Sequence, residues 1–226
     1  GLAENERDLR EGGRGRVGVH AAFTCSDETL EAAAGLAADT GVGVHIHVAE
    51  GSVDSGAGDR LRHLATDDWL VVHGVHLPDD HELAGTIVHN PRSNMNNAVG
   101  YARPTRFANP VVLGSDGIGA DMLEEFRVAY VRHREEDVTA SPETAWGWLA
   151  AGWDLFPEAL DDRVTWNHDP MDPWHLAFSP GVGPVEVVVD EEVVWSDGAP
   201  TRVDAAEVRA MAAEEATRLH RRLEEL

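Results

Sequence analysis

Short apolar runs that end in a histidine or a carboxylate recur along this chain. Arg16 to His20, Val42 to His47, Trp69 to His73, Thr86 to His89 and Pro110 to Leu113 are rich in valine and isoleucine. Each is four to six residues long, the signature of a buried strand. Helical segments are expected between them. Ser26 is placed to cap a helix over about 27–39, with Asp27 and Glu28 favourable in its first turn and Gly41 as its stop. A short helix is predicted around 59–65 and a longer one over 121–134, and residues 2–11 read as helix. Strands alternating with helices imply βα units and a parallel sheet.

After about residue 140 the pattern changes. Ser141-Pro142-Glu143 opens a tryptophan-rich helix with Trp146, Trp148 and Trp153. Val185 to Asp190 and Val193 to Trp195 read as a small β hairpin, and Asp204 as the cap of a last helix reaching about Leu223. The expected division is therefore 1–140, a (β/α) unit, and 141–226, a helical linker, hairpin and terminal helix.

Composition narrows the function. The 226 residues carry a formal net charge of −23, and all the basic residues other than histidine are arginines. So acidic a chain offers no basic footprint for nucleic acid or for an anionic membrane surface. Adaptation to high salt and a GC-rich coding sequence both account for the charge. No apolar run approaches the roughly 20 residues of a membrane helix. One cysteine, Cys25, excludes an internal disulfide and fits a reducing cytoplasm.

The chemistry sits at the strand ends. His45-Ile46-His47-Val48-Ala49-Glu50 places an imidazole three residues before a carboxylate. The imidazole can hold a divalent metal, and the carboxylate can move protons. His45 shares a strand face with His47, which suits a pocket position. His73, His89-Asn90-Pro91-Arg92-Ser93-Asn94-Met95 and Gly114-Ser115-Asp116-Gly117 follow in order. Asn90-Pro91 and Ser93-Asn94 also read as ordinary turn chemistry. His89 fits core packing and pocket wall equally well.

These four ordered motifs, with His20-Ala21-Ala22-Phe23 before them, resemble the amidohydrolase superfamily, in particular its aminohydrolase and chlorohydrolase branch of SsnA type. The resemblance covers about residues 1–135 together with the hairpin and final helix. It implies an α/β fold, a partial TIM-like barrel of about strands 4 to 8, whose hairpin and final helix come from the family's small β domain. It implies a divalent metal, zinc in the first place and iron as the other choice. His47 and Asp116 would be metal ligands. Glu50, His73 and Asp116 would be catalytic, and His20 and Asn94 would bind substrate. The implied activity is hydrolysis of a non-peptide carbon–nitrogen bond, the deamination of a nitrogen heterocycle. Hydrolysis of a carbon–chlorine bond on a triazine-like ring uses much the same groups. The family's first-strand His-x-His pair is absent here, so a chain that is inactive alone, or that depends on a partner, is the competing expectation. A homo-oligomer is compatible with the resemblance, and the open sheet edges of a partial barrel favour association.

Overall fold

The computed structural model describes residues 1–169 and 172–225. They fall into two compact units, Gly1–Asp154 and Leu155–Leu226. The first begins with α1 (Leu2–Arg10), β1 (Val17–Ala21), α2 (Asp27–Thr40), β2 (Val44–Val48) and α3 (Ala57–Leu61). It continues with β3 (Leu70–His73), β4 (Thr86–His89), α4 (Pro91–Asn96), β5 (Val111–Leu113), α5 (Met122–Glu136) and α6 (Pro142–Ala151). All five strands are parallel, in the order β1-β2-β3-β4-β5. Among the described residues β1 and β5 do not pair, so the sheet is open.

Local chemistry explains the boundaries. The Ser26 hydroxyl accepts from the Thr29 amide at the start of α2, and Gly41 ends it in the left-handed region at φ 71°. At the start of α5 the Asp121 carboxylate accepts from the Glu124 amide. The expected strands appear within one or two residues of their places. The Trp-rich helix, α6, packs against α5 and β5 and so lies within the first unit.

Register sorts the strand residues onto two faces. Ile46 pairs with Val71, Val71 with Ile87, and Ile87 with Val111. The first three are fully buried in a core shared with Leu30, Ala33 and Ala37 of α2 and Leu61 of α3. His45 and His47, one step out of phase, look from the opposite face. A bulge in β1 between Val19 and Ala21 accommodates His20 beside His47.

The second unit holds β6 (Arg163–Trp166), α7 (Pro173–Leu176), β7 (Pro184–Val189), β8 (Glu192–Ser196), β9 (Ala199–Pro200) and α8 (Ala205–Glu224). Its sheet is antiparallel in the order β6-β7-β8-β9. The expected hairpin is β7 and β8, and the Asp204 carboxylate caps α8 through the Ala206 and Glu207 amides. The flanking strands are short, four residues in β6 and two in β9, so neither carries enough alternation to announce it.

The approach of the start of β2 to the turn that leads into β3 depends on a bare backbone at Gly43. A Cβ there would lie 1.9 Å from the Asp68 carbonyl oxygen. Gly43→Ala is therefore expected to destabilise the chain by about 1–3 kcal/mol, the usual cost of overpacking, read as a lower urea midpoint at unchanged slope. A midpoint equal to wild type would show that β2 and the 66–69 turn are not closely apposed.

Candidate active site

The strand ends deliver their polar side chains to one edge of the parallel sheet. His20 lies in β1 and His47 in β2, Glu50 follows β2, His73 ends β3, and Asp116 follows β5. His20 and His47 have ring centroids 5.5 Å apart, His45 and His47 6.0 Å, and His47 and His73 5.2 Å. His73 Nε2 stands 3.7 Å from Glu50 Oε2 and 3.8 Å from Asp116 Oδ2. Glu50, His73 and Asp116 each offer an atom within 4.8 Å of the others, an arrangement that could hold a metal ion. His47 lies beside this trio, against the His73 ring.

Backbone geometry produces this convergence. His73 has the parity of Val71 and would point into the helix-covered core if β3 simply continued. Instead its φ is 74°, and Gly74 follows at 62°. Asp116 and Ala49 are likewise left-handed, at 51° and 50°. Non-glycine residues in this region store backbone strain and gather at functional sites. Ala49 is held by its amide, which donates to the buried Asp54 carboxylate at 2.8 Å. Burial pushes the Asp54 carboxyl upward, against the Ala49 amide and Arg60, which pull it down.

The second contribution comes from α4. The Asn94 carbonyl oxygen accepts from His73 Nδ1 at 2.8 Å, which leaves the lone pair on Nε2, facing the two carboxylates. The Ser93 hydroxyl donates to Asp116 Oδ2 in a short hydrogen bond. Asn97, just past the helix, donates to Glu50 Oε1 at 3.1 Å and to Ser93 Oγ at 3.3 Å. Thus Asn94 is buried behind His73; Ser93, which reads as turn chemistry in the sequence, joins the site, as do Asn97 and Asp54, to which the sequence assigned no role. Pro91 in the first helical position after Asn90 was the available signal.

Electrostatics follows the same contacts. Burial raises the Asp116 carboxyl, but the Ser93 hydroxyl, the Gly117 amide, His73 and His47 together bring it below the usual carboxylate range. His47 is lowered by burial and by the neighbouring His73 and His45, and His45 chiefly by burial. Both favour the neutral imidazole, the form that ligates metal.

His89 takes a different course. It keeps the parity of Ile87, is fully buried, and packs edge-on against Trp148 at 6.0 Å and Tyr101 at 5.7 Å. Its contacts are those of a core residue.

With this geometry in place, relatives can be compared. A model of the Amidohydrolase family matches residues 2–146. The chain belongs to this family. Among its amidohydrolase relatives, the 5-methylthioadenosine/S-adenosylhomocysteine deaminase of Pelotomaculum thermopropionicum is 36% identical over 182 residues, 65% of this chain and 42% of that protein. The 5'-deoxyadenosine deaminase of Methanothermobacter thermautotrophicus is 28% identical over 225 residues, 80% of this chain and 53% of that one. The solved structure of an adenosine deaminase from Xanthomonas campestris with bound zinc superposes with a TM-score of 0.82 at 21% identity, covering 97% of this chain and 61% of that chain. A variant of the atrazine chlorohydrolase TrzN from Arthrobacter aurescens TC1, complexed with zinc and atraton, gives 0.70 at 19% identity, covering 93% and 58%. At such identities the structural likeness establishes the fold. The chain spans less than two thirds of the length of each of these proteins.

Two predictions test this geometry. Ser93→Ala removes a donor from Asp116, so the Asp116 carboxyl pKa should rise, as followed by carbon-13 carboxyl shifts through a pH titration; an unchanged value would place the hydroxyl elsewhere. Burial lowers His89 from its ordinary value to about 3. The unfolded chain therefore binds a proton below about pH 6.5 that the folded chain refuses until about pH 3, and stability falls as pH drops through that window. His89→Phe should flatten this decline in urea midpoints measured between pH 6.5 and 4.5, and a slope identical to wild type would refute the assignment.

Proposed function

We propose that this chain carries the proton-transfer groups of a metal-dependent aminohydrolase that deaminates a nitrogen heterocycle. The observation that carries this reading is the convergence of Glu50 Oε2, His73 Nε2 and Asp116 Oδ2. These are three acceptors with no donor among them. Such a set is satisfied by a cation, and its mixed nitrogen and oxygen character suits zinc or iron. His47 and Asp116 would hold the metal, with His73 beside it. A divalent metal held there supplies Lewis acidity, which makes water acidic enough to act as a nucleophile near neutral pH.

The remaining work belongs to the side chains. Asp116, kept ionised by Ser93 and the Gly117 amide, accepts the proton of the attacking water. Glu50, held through Oε1 by Asn97, presents Oε2 to the mouth, where it takes up the second proton of the attacking water and passes it to the ring nitrogen, while Asp116 hands the first to the departing ammonia. His73 is fixed by Asn94 with its Nε2 lone pair toward the mouth, where it receives a hydrogen bond from water or from the departing group. His20, next to His47, lines the substrate side, and Asn94 acts through His73. The deaminase names of the two sequence relatives described above favour loss of ammonia over loss of chloride.

The first unit would correspond to strands 4 to 8 of a TIM-like barrel, and β7, β8 and α8 to the small β domain. A second reading has a specific observation behind it. Glu50, His73 and Asp116 of this chain do not by themselves complete the four-ligand shell of a tight zinc site. In that reading it needs a partner chain that supplies further ligands.

The test is ammonia release from adenosine-type nucleosides by the zinc-supplemented chain. Turnover is expected, with Asp116→Asn and Glu50→Gln each lowering kcat by about 10²–10⁴-fold, the typical range for acid–base groups. Chelation should abolish it. Wild-type turnover in Asp116→Asn would sink the mechanism. A folded chain that takes up no zinc and releases no ammonia would leave the partner-dependent reading.

A further inference from the structure

Asp116 lies in an exposed single 3-10 turn, Asp116–Ile118, and something must hold that turn against the sheet. The grip comes from α4. Arg92 donates from Nη1 to the Gly119 carbonyl oxygen at 3.4 Å and from Nη2 to the Ile118 carbonyl oxygen at 3.5 Å. The same guanidinium donates to Glu125 Oε1 at 3.3 Å, and the Arg92 amide donates to Glu125 Oε2 at 3.3 Å. Glu125, on α5, is fully buried, whereas the Arg92 side chain is 25% exposed. A buried carboxylate is costly unless paired and hydrogen-bonded, and its only ion-pair partner among the described residues is Arg92. Burial raises its carboxyl to about 6, against the pull of Arg92.

We infer that Arg92 and Glu125 form a positioning pair for the proposed reaction: Glu125 orients the Arg92 fork, and the fork fixes the turn that aims Asp116. The inference rests on the function proposed above only in its consequence for metal binding. The clamp itself is a property of the fold. Its logic is geometric, because a planar guanidinium reaches one carboxylate and two carbonyl oxygens together, while a lysine ammonium at the end of a flexible stem offers no such fork.

The experiment uses the whole nitrogen-15-labelled chain and reads amide order parameters at Gly117, Ile118 and Gly119. In Glu125→Gln, Arg92→Gln and Arg92→Lys these should fall below about 0.6, while β4 and α5 stay near the rigid value of about 0.85. The Arg92→Gln/Glu125→Gln double variant should lose no more than the worse single variant, as expected of groups that act as a pair. Zinc affinity, measured by calorimetry with zinc alone, should fall about tenfold. Turn amides that stay rigid in folded variants, or full additivity in the double variant, would overturn the pair. If Glu125→Gln fails to fold, the same readout on Arg92→Gln and Arg92→Lys decides. A wild-type chain that binds no zinc would count against the proposed function, while the order parameters would still decide the clamp.

Discussion

Three acceptors aimed at one another are the central constraint on this molecule. Glu50 and Asp116 are carboxylates, and His73 turns a lone pair toward both. Left alone they would repel and drift apart. What keeps them together is a helix of six residues, α4, with the asparagine that follows it. Ser93 donates to one carboxylate, Asn97 to the other, and Asn94 takes the imidazole proton on the side away from both. Each hydrogen bond to an ionised group is stronger than a neutral one, and each is made by a residue whose backbone the helix has already fixed. The parallel sheet brings the strand ends to one edge; α4 turns that proximity into an arrangement.

Strain is the counterpart of that order. His73, Asp116 and Ala49 all sit in left-handed conformations where their strands end. The hydrogen bonds around them, from Asn94, Ser93 and Asp54, supply the over-determination that such backbones require. The two histidines ending β3 and β4 show what the strain achieves. Both follow the parity of a core residue, Val71 or Ile87. Only His73 is turned out of that phase. His89 remains in it and is buried against Trp148 and Tyr101.

Much of this was legible in the sequence. The five parallel strands were written in valine and isoleucine runs, α2 in Ser26 and Gly41, and the order of His47, Glu50, His73 and Asp116 in four spaced motifs. The missing parts have physical reasons. A helix as short as α4 has no full amphipathic period, so its Asn and Ser residues read as turn formers. Strand parity does not reveal a positive φ at its last residue, so parity alone does not separate His73 from His89, and only the resemblance marked His73 as catalytic. Asp54 and Glu125 looked like two more acids in a chain full of them, because their burial depends on contacts made at a distance along the sequence. The tryptophan-rich helix was recognised, but not that it packs on α5 and β5.

The division of labour between the strands and α4 bears on how such a chain can diversify. The end of β1 that carries His20 lies outside this wiring, and it can be exchanged while its strand keeps its register. The stretch from Asn90 to Asn97 has no such independence, since it is wired to the ends of three other strands through Glu50, His73 and Asp116. Recombination between relatives would therefore preserve a working geometry when the crossover leaves that stretch in the company of its own Glu50, His73 and Asp116. A breakpoint between β3 and α4 would join parts that had never been fitted to each other.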